Sequence, residues 1–350
     1  MIGVVLLNFG EPETASLEEA VPFLERIFSS NWSLEPGMSS EGMRQRAHEL
    51  ALRRAPGLVE EYRQIGGSPL GEQCRAEARA LAGELASRGV EAEVFLGMQF
   101  TRPTISEAVE GARAAGAERL VGLPVYPLCG HSTTVAALAN LEGALEAAGW
   151  QVPLAQISGW HPHPVYLEIR RDAIQHCVES AGVDLTDPET RLVFSVHGTP
   201  IRYLEAGSRY DRYSEECCRW VAEAVGVEDY LLGYQNHSNR GIEWTQPEID
   251  DVVKEAAGEA RRIVVDPISF VHEQSETLAE LDGDLREVAE EMGLEFHRVP
   301  IPHDDERLPG VLADLVEAAV AVGPAAGLQL RDCLCKPDGG VRCLNGDRIS

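Results

Sequence analysis

The chain has 350 residues, 44% apolar and 25% charged, and its 57 acidic side chains against 30 basic ones give a formal net charge of −27. This length suits two domains with ordinary cores. The acidity excludes a nucleic-acid partner, whose phosphates call for clustered Lys and Arg, and no apolar run reaches the ~18–20 residues that span a bilayer. The bulk acidity reads as solubility, so only a local arrangement of acids carries functional weight.

The chain opens on Met1-Ile2-Gly3-Val4-Val5-Leu6-Leu7-Asn8, which has no basic leader and no cleavage site. It reads as a first strand over 4–8, not as a signal peptide, and places the protein in the cytoplasm. A helix is predicted near 16–28. Strand-like runs at 93–97 and 119–125 precede helical patterns at 104–115 and 133–148. Further strands follow at 191–196, 230–234 and 262–267, each leading towards another helix. Short apolar strands alternating with helices predict an α/β protein with covered parallel sheets.

Two halves echo one another. Val4-Val5-Leu6-Leu7-Asn8-Phe9-Gly10-Glu11-Pro12 aligns with Leu192-Val193-Phe194-Ser195-Val196-His197-Gly198-Thr199-Pro200, and Arg119-Leu120-Val121-Gly122-Leu123-Pro124 with Arg262-Ile263-Val264-Val265-Asp266-Pro267. The echo predicts two similar open sheets with a cleft between them. We divide the chain into 1–155, 156–327 and a Cys-rich extension, 328–350. Ligands of open α/β sheets bind beyond the carboxyl ends of the strands, which here means 9–12, 98–103, 126–134, 197–200, 235–244 and 269–276. No G-x-G-x-x-G or Walker lysine motif follows any strand, so no nucleotide cofactor is expected.

His197 stands at such a strand end, where an imidazole can take a proton or bind a metal; the same place also suits a histidine tied to a loop carbonyl. Glu276, Glu280 and Asp284 recur at i, i+4 and i+8. On a helix they form one acidic stripe, at a cost of about 0.2–0.5 kcal/mol per like-charged pair. The stripe is either a solvated face or a ladder of hard oxygen ligands for a divalent cation, and Glu273, one turn earlier, is placed to share it.

These segments resemble the ferrochelatases. Phe194-Ser195-Val196-His197-Gly198-Thr199-Pro200 is similar to the family's histidine signature, and Glu276-Thr277-Leu278 to its Glu-Thr-Leu segment, with the acids four and eight residues on. Leu6-Leu7-Asn8-Phe9-Gly10-Glu11-Pro12, Tyr62-Arg63-Gln64-Ile65-Gly66-Gly67-Ser68-Pro69-Leu70, Tyr126-Pro127 with Ser132-Thr133-Thr134, and Gln235 with Trp244 match further family motifs in order over about residues 4–285. Two departures stand out: Gly198-Thr199 replaces the usual Ser-Leu, and Glu273-Gln274 replaces an Asp-His pair, leaving His272 as the nearby imidazole.

The resemblance implies a Rossmann-like, chelatase-type fold and a metal chelatase of the lyase class, which inserts ferrous iron into protoporphyrin or coproporphyrin in haem biosynthesis. It makes His197 the proton acceptor, a metal ligand or both, with Glu276 facing it and Glu280 and Asp284 passing ions or protons onward. It places Phe23, Phe28 and Trp32 in a porphyrin-covering lip, about residues 20–70, with Phe9 and Trp244 on strand-end loops and Arg26 and Arg63 as partners for propionates. A peripheral membrane contact would suit a greasy porphyrin, though no basic amphipathic helix marks one.

Of the eight cysteines, Cys333, Cys335 and Cys343 crowd into the tail, where a reduced compartment favours metal over disulfides. Part of the family carries a 2Fe–2S cluster on such a tail. The resemblance implies these three as ligands, with Cys129 or His131 as the fourth; zinc, or no metal, are the alternatives. Cys74, Cys177, Cys217 and Cys218 fall in helical patterns as small core residues. Two other readings stay open: a chelatase for another metal and tetrapyrrole, and a non-catalytic haem-binding or iron–sulfur sensor protein.

Overall fold

Strand β1 (Ile2–Asn8) is seven buried residues, as expected of a strand covered on both faces. The computed structural model describes residues 1–30, 39–236, 242–321, 327–336 and 340–344. Helices α1 (Leu17–Ser30), α2 (Ser40–Ile65) and α3 (Leu70–Ser87) lead to β2 (Ala92–Met98). Next come α4 (Ile105–Ala114), entered through a Thr104–Glu107 capping box, and β3 (Arg119–Pro124). A π-helical turn, His131–Val135, opens α5 (Ala136–Ala147), and β4 (Leu154–Ile157) completes the first run.

Helix α6 (Pro164–Ala181) crosses to a second run: β5 (Thr190–His197), α7 (Ile201–Glu205), α8 (Tyr210–Val225), β6 (Tyr230–Gln235), α9 (Ile249–Ala256) and β7 (Arg262–Asp266). A ten-residue π-helix, Glu276–Leu285, then passes into α10 (Arg286–Glu291), β8 (Glu295–Arg298), α11 (Leu308–Val320) and two short strands, β9 (Arg331–Asp332) and β10 (Val341–Cys343).

The internal echo is a topological repeat. The first four strands lie in the order β2-β1-β3-β4 and the second four in the order β6-β5-β7-β8, all parallel. β1 and β5 are therefore equivalent central strands. The glycine that follows each is required by close approach: Gly10 has φ 80°, and a Cβ on Gly198 would sit 1.7 Å from Asn236 Oδ1.

The C-terminal end departs from the division drawn from sequence. Helix α11, assigned above to the second unit, packs mainly on α3, β3 and β4. Strand β10 pairs parallel with β4, extending the first sheet, and β9 pairs antiparallel with β10. These contacts are non-local, so no strand or helix pattern in the sequence signals them. Among the described residues no helix is long and apolar enough to cross a membrane.

Candidate active site

The carboxyl ends of both sheets open on one cavity of about 760 Å³, roofed by α1 and α2, a size typical of a small-molecule site. Phe9, Phe23, Phe28, Phe100, Tyr203 and Trp244 supply aromatic wall. Phe9 meets Phe100 edge-on at 4.5 Å and Phe23 at 6.2 Å, so the three rings form one edge-to-face cluster. Trp32 lies outside the described residues.

His197, the last residue of β5, is held at three points. Its backbone N–H donates to Ser269 Oγ (2.9 Å), its Nδ1–H donates to the Gly198 carbonyl (2.7 Å), and its Nε2 faces Glu276 Oε1 at 3.1 Å. A carbonyl can only accept, so the proton on Nδ1 is fixed and Nε2 is the exchangeable position. The ring is about a third exposed, towards the cavity. Burial opposes its charge, but Glu276, with Glu280 and the Gly198 carbonyl behind it, outweighs burial and raises the pKa to about 9.

Glu276 begins the π-helix, and Gln274 Nε2 donates to its other carboxylate oxygen. The residue that departs from the family's histidine thus orients the acid through its amide N–H, and offers no imidazole nitrogen as a base. Gln235, at the end of β6, receives the Ser195 hydroxyl (2.8 Å) and donates to the Glu276 carbonyl (3.1 Å) and to Glu280 Oε2 (3.3 Å). Glu280 lies deep enough that burial, and then the charge of Glu276, lift its pKa to about 8. Asp284 is exposed beyond it. The three acids therefore grade from cavity to surface along a π-helix, a geometry often found at functional sites.

Other candidates fall elsewhere. Glu273 does not line the cavity; its carboxylate accepts from Arg298 Nη1 (2.9 Å), Ile301 N–H (3.0 Å) and Thr277 Oγ1 (2.6 Å), which fixes the loop before the π-helix. Arg26 is turned to the Phe100 carbonyl (2.7 Å), and Arg63 pairs with Glu60 on the exposed side of α2. Among the described residues, Arg46, Arg53 and Arg54, also on α2, line the cavity, with Arg46 near Glu49 (4.0 Å) and Arg54 paired with Glu61 (3.2 Å). Their signal was present in the sequence: they share the helix face of Met43, Ala47, Leu50 and Leu58.

A second cluster forms behind the cavity wall. The thiols of Cys129, Cys333 and Cys335 lie within 4.8 Å of one another. Cys129, Cys335 and Cys343 hydrogen-bond Cys333 and hold its thiol well below the ordinary range, while Cys129, bonded to Cys333, is pushed up. His131 faces the other way, into the cavity, stacked on Tyr203 at 4.1 Å. Of Cys129 and His131, it is Cys129 whose side chain lies with the thiols of Cys333 and Cys335. Cys74, Cys217 and Cys218 are buried in helices, and Cys177 is half-buried.

Comparison with known proteins accords with this arrangement. The family model described as Ferrochelatase matches residues 1–320 and ends before the cysteine tail. A ferrochelatase of a Picosynechococcus species is 36% identical over 331 residues, covering 90% of this chain and 82% of its own. One from a Synechococcus species is 34% identical over 335 residues (93% and 84%), and one from Nostoc punctiforme 34% over 331 residues (90% and 81%).

Proposed function

The chain belongs to the ferrochelatase family, and on that premise we propose that it inserts ferrous iron into a porphyrin in haem biosynthesis. The observation that carries this reading is the His197–Glu276 contact of 3.1 Å on the wall of an aromatic-lined cavity. A large apolar ring would pack against the apolar cluster of Phe9, Phe23 and Phe100, and carboxylates at its edge would meet Arg46, Arg53 and Arg54.

Insertion removes two N–H protons from the ring and strips water from the ion. His197 is a stronger base than free imidazole because Glu276 stabilises the imidazolium, and its Nε2 is the atom that exchanges. At neutral pH the group holds a proton on each nitrogen. A dication arriving beside Glu276 and Glu280 reverses the local field, expelling the protons from Glu280 and His197 Nε2 and leaving the imidazole ready for a ring proton. Oxygen ligands suit a hard, exchangeable divalent ion that must leave for the ring nitrogens. Binding energy from the aromatic cluster and the arginines supports distortion of the ring.

The thiol cluster suits a resident 2Fe–2S centre in the C-terminal extension 328–350, held by Cys129, Cys333, Cys335 and Cys343. Four thiolates are the usual donor set, three of these four cysteines are buried and Cys335 is half-buried, and the low proton affinity of Cys333 supplies the first thiolate. When bound, the cluster would cross-link the loop after β3 to the tail and supply a one-electron couple.

The test is anaerobic addition of ferrous iron to protoporphyrin and to coproporphyrin, followed by loss of porphyrin fluorescence. Turnover of one well above the uncatalysed rate supports the reading and names the substrate. Tight binding without turnover of either refutes it.

A further inference from the structure

The loop that carries Glu276 belongs to the second sheet by sequence, yet its side of the cavity is pinned by the first. Glu273 N–H donates to Gln73 Oε1 on α3 (2.9 Å). The buried His272 accepts at Nδ1 from Asn8 Nδ2 (3.3 Å), an orientation set because Asn8 Oδ1 accepts from Phe9 N–H (2.7 Å). The third pin is Glu11, two residues past Phe9 on the loop after β1.

Glu11 is 6% exposed and lines the cavity. One carboxylate oxygen takes the Ser275 hydroxyl; the other takes the Ser275 N–H (3.1 Å) and the Ser68 hydroxyl (2.5 Å). Ser275 is the residue immediately before Glu276. Its N–H falls at the mouth of the π-helix, where no intrahelical acceptor is available. A carboxylate supplied from the other half of the molecule therefore fixes the first turn, and with it the direction of the Glu276 side chain.

A buried acid beside a second acid is costly: burial, and also the charge of Glu276, raise the pKa of Glu11. Its three donors do not need a charge to be satisfied: an amide oxygen would accept from the Ser275 N–H and the Ser68 hydroxyl, and the amide N–H would donate to the Ser275 hydroxyl, which can turn to accept. What the position demands is an acceptor of this length at this point.

We propose that Glu11 is a positioning residue for the reaction: its hydrogen bonds to Ser275 and Ser68 set Glu276 against His197, so the first half of the molecule governs how the second half handles iron. The inference rests on the chelatase reading above. Misplacement of a reacting group by about 1 Å costs on the order of 10²-fold, so Glu11→Ala is expected to raise the KM for ferrous iron and lower kcat, together by ~10- to 100-fold in kcat/KM, with the porphyrin Kd within about twofold.

The experiment measures iron and porphyrin dependence separately for wild type, Glu11→Ala and Glu11→Gln in the full-length protein, with melting curves alongside. The account expects the iron-side loss in Glu11→Ala and its recovery to within about threefold of wild type in Glu11→Gln, which keeps an acceptor at the right reach. Wild-type iron kinetics in a folded Glu11→Ala would overturn it. So would a Glu11→Gln as impaired as the alanine variant, or equal losses on the iron and porphyrin sides. Failure of wild type itself to metallate a porphyrin would instead overturn the chelatase reading.

Discussion

The molecule carries two clusters of side chains of metal-ligating type, one on the cavity wall and one behind it, and they are built on different principles. His197, Glu276 and Glu280 offer nitrogen and oxygen donors, open to a large cavity and graded outward to the exposed Asp284. Cys129, Cys333 and Cys335 offer sulfur, sunk among core residues. Hard donors on an accessible wall exchange their ion, whereas buried thiolates keep theirs. The first arrangement suits a metal that passes through as substrate and the second a metal that stays.

That contrast can be broken most sharply at the open site. His197→Ala should lower kcat by ~10²–10⁴-fold while porphyrin binding persists, because the lost group accepts a proton and the aromatic cluster of Phe9, Phe23 and Phe100 is left intact. Steady-state rates and a fluorescence titration on the same sample separate the two. At the closed site, Cys333→Ser should cut bound iron and acid-labile sulfide to below about one-tenth of wild type and lower the melting temperature. Its porphyrin affinity should change little, since the cavity is lined on the other face of the loop.

A smaller effect separates the two halves of the open site by pH. The folded pKa of Glu280, about 8, lies above its ordinary 4.5, and that of His197, about 9, above 6.5. Each therefore contributes stability that is full below its ordinary pKa and lost as pH rises through its folded value. The melting temperature of the metal-free protein should fall between about pH 5 and pH 9, and Glu280→Gln should flatten the earlier part of that fall. Calorimetry across the range checks it; a variant that melts in parallel with wild type at every pH would refute the assignment. Smallest of all, Asp284→Asn at the exposed end should change iron KM by less than about threefold, and the difference should vanish at high salt.

Much of this was legible in the chain. The repeated strand–Gly–x–Pro pattern marked β1 and β5 as equivalent, and the strand ends marked His197 and Glu276. Three things were hidden, each for a physical reason. Ten residues are too few for periodicity to distinguish a π-helix from an α-helix. Glu273 shares a sequence neighbourhood with the site, but its side chain is claimed by Arg298, which only tertiary packing brings there, whereas the Arg63–Glu60 pair is a local i,i+3 contact on the exposed side of α2. The return of α11 and β10 to the first sheet is a long-range pairing with no local signature. Conversely, the choice between Cys129 and His131 turns on two residues of loop path: the thiol points back to the tail and the imidazole forward to Tyr203.

The central claim is that the 3.1 Å contact between His197 and Glu276 performs proton removal during metal insertion. The direct measurement is single-turnover iron insertion by enzyme preloaded with porphyrin, followed from pH 6 to pH 10 in wild type and His197→Ala. At subsaturating iron, where the metal-free form sets the rate, the account predicts a wild-type rate that rises with pH and levels off near the His197 pKa of about 9, and a slow variant whose rate lacks that inflection. A variant that keeps both the rate and the inflection would contradict it.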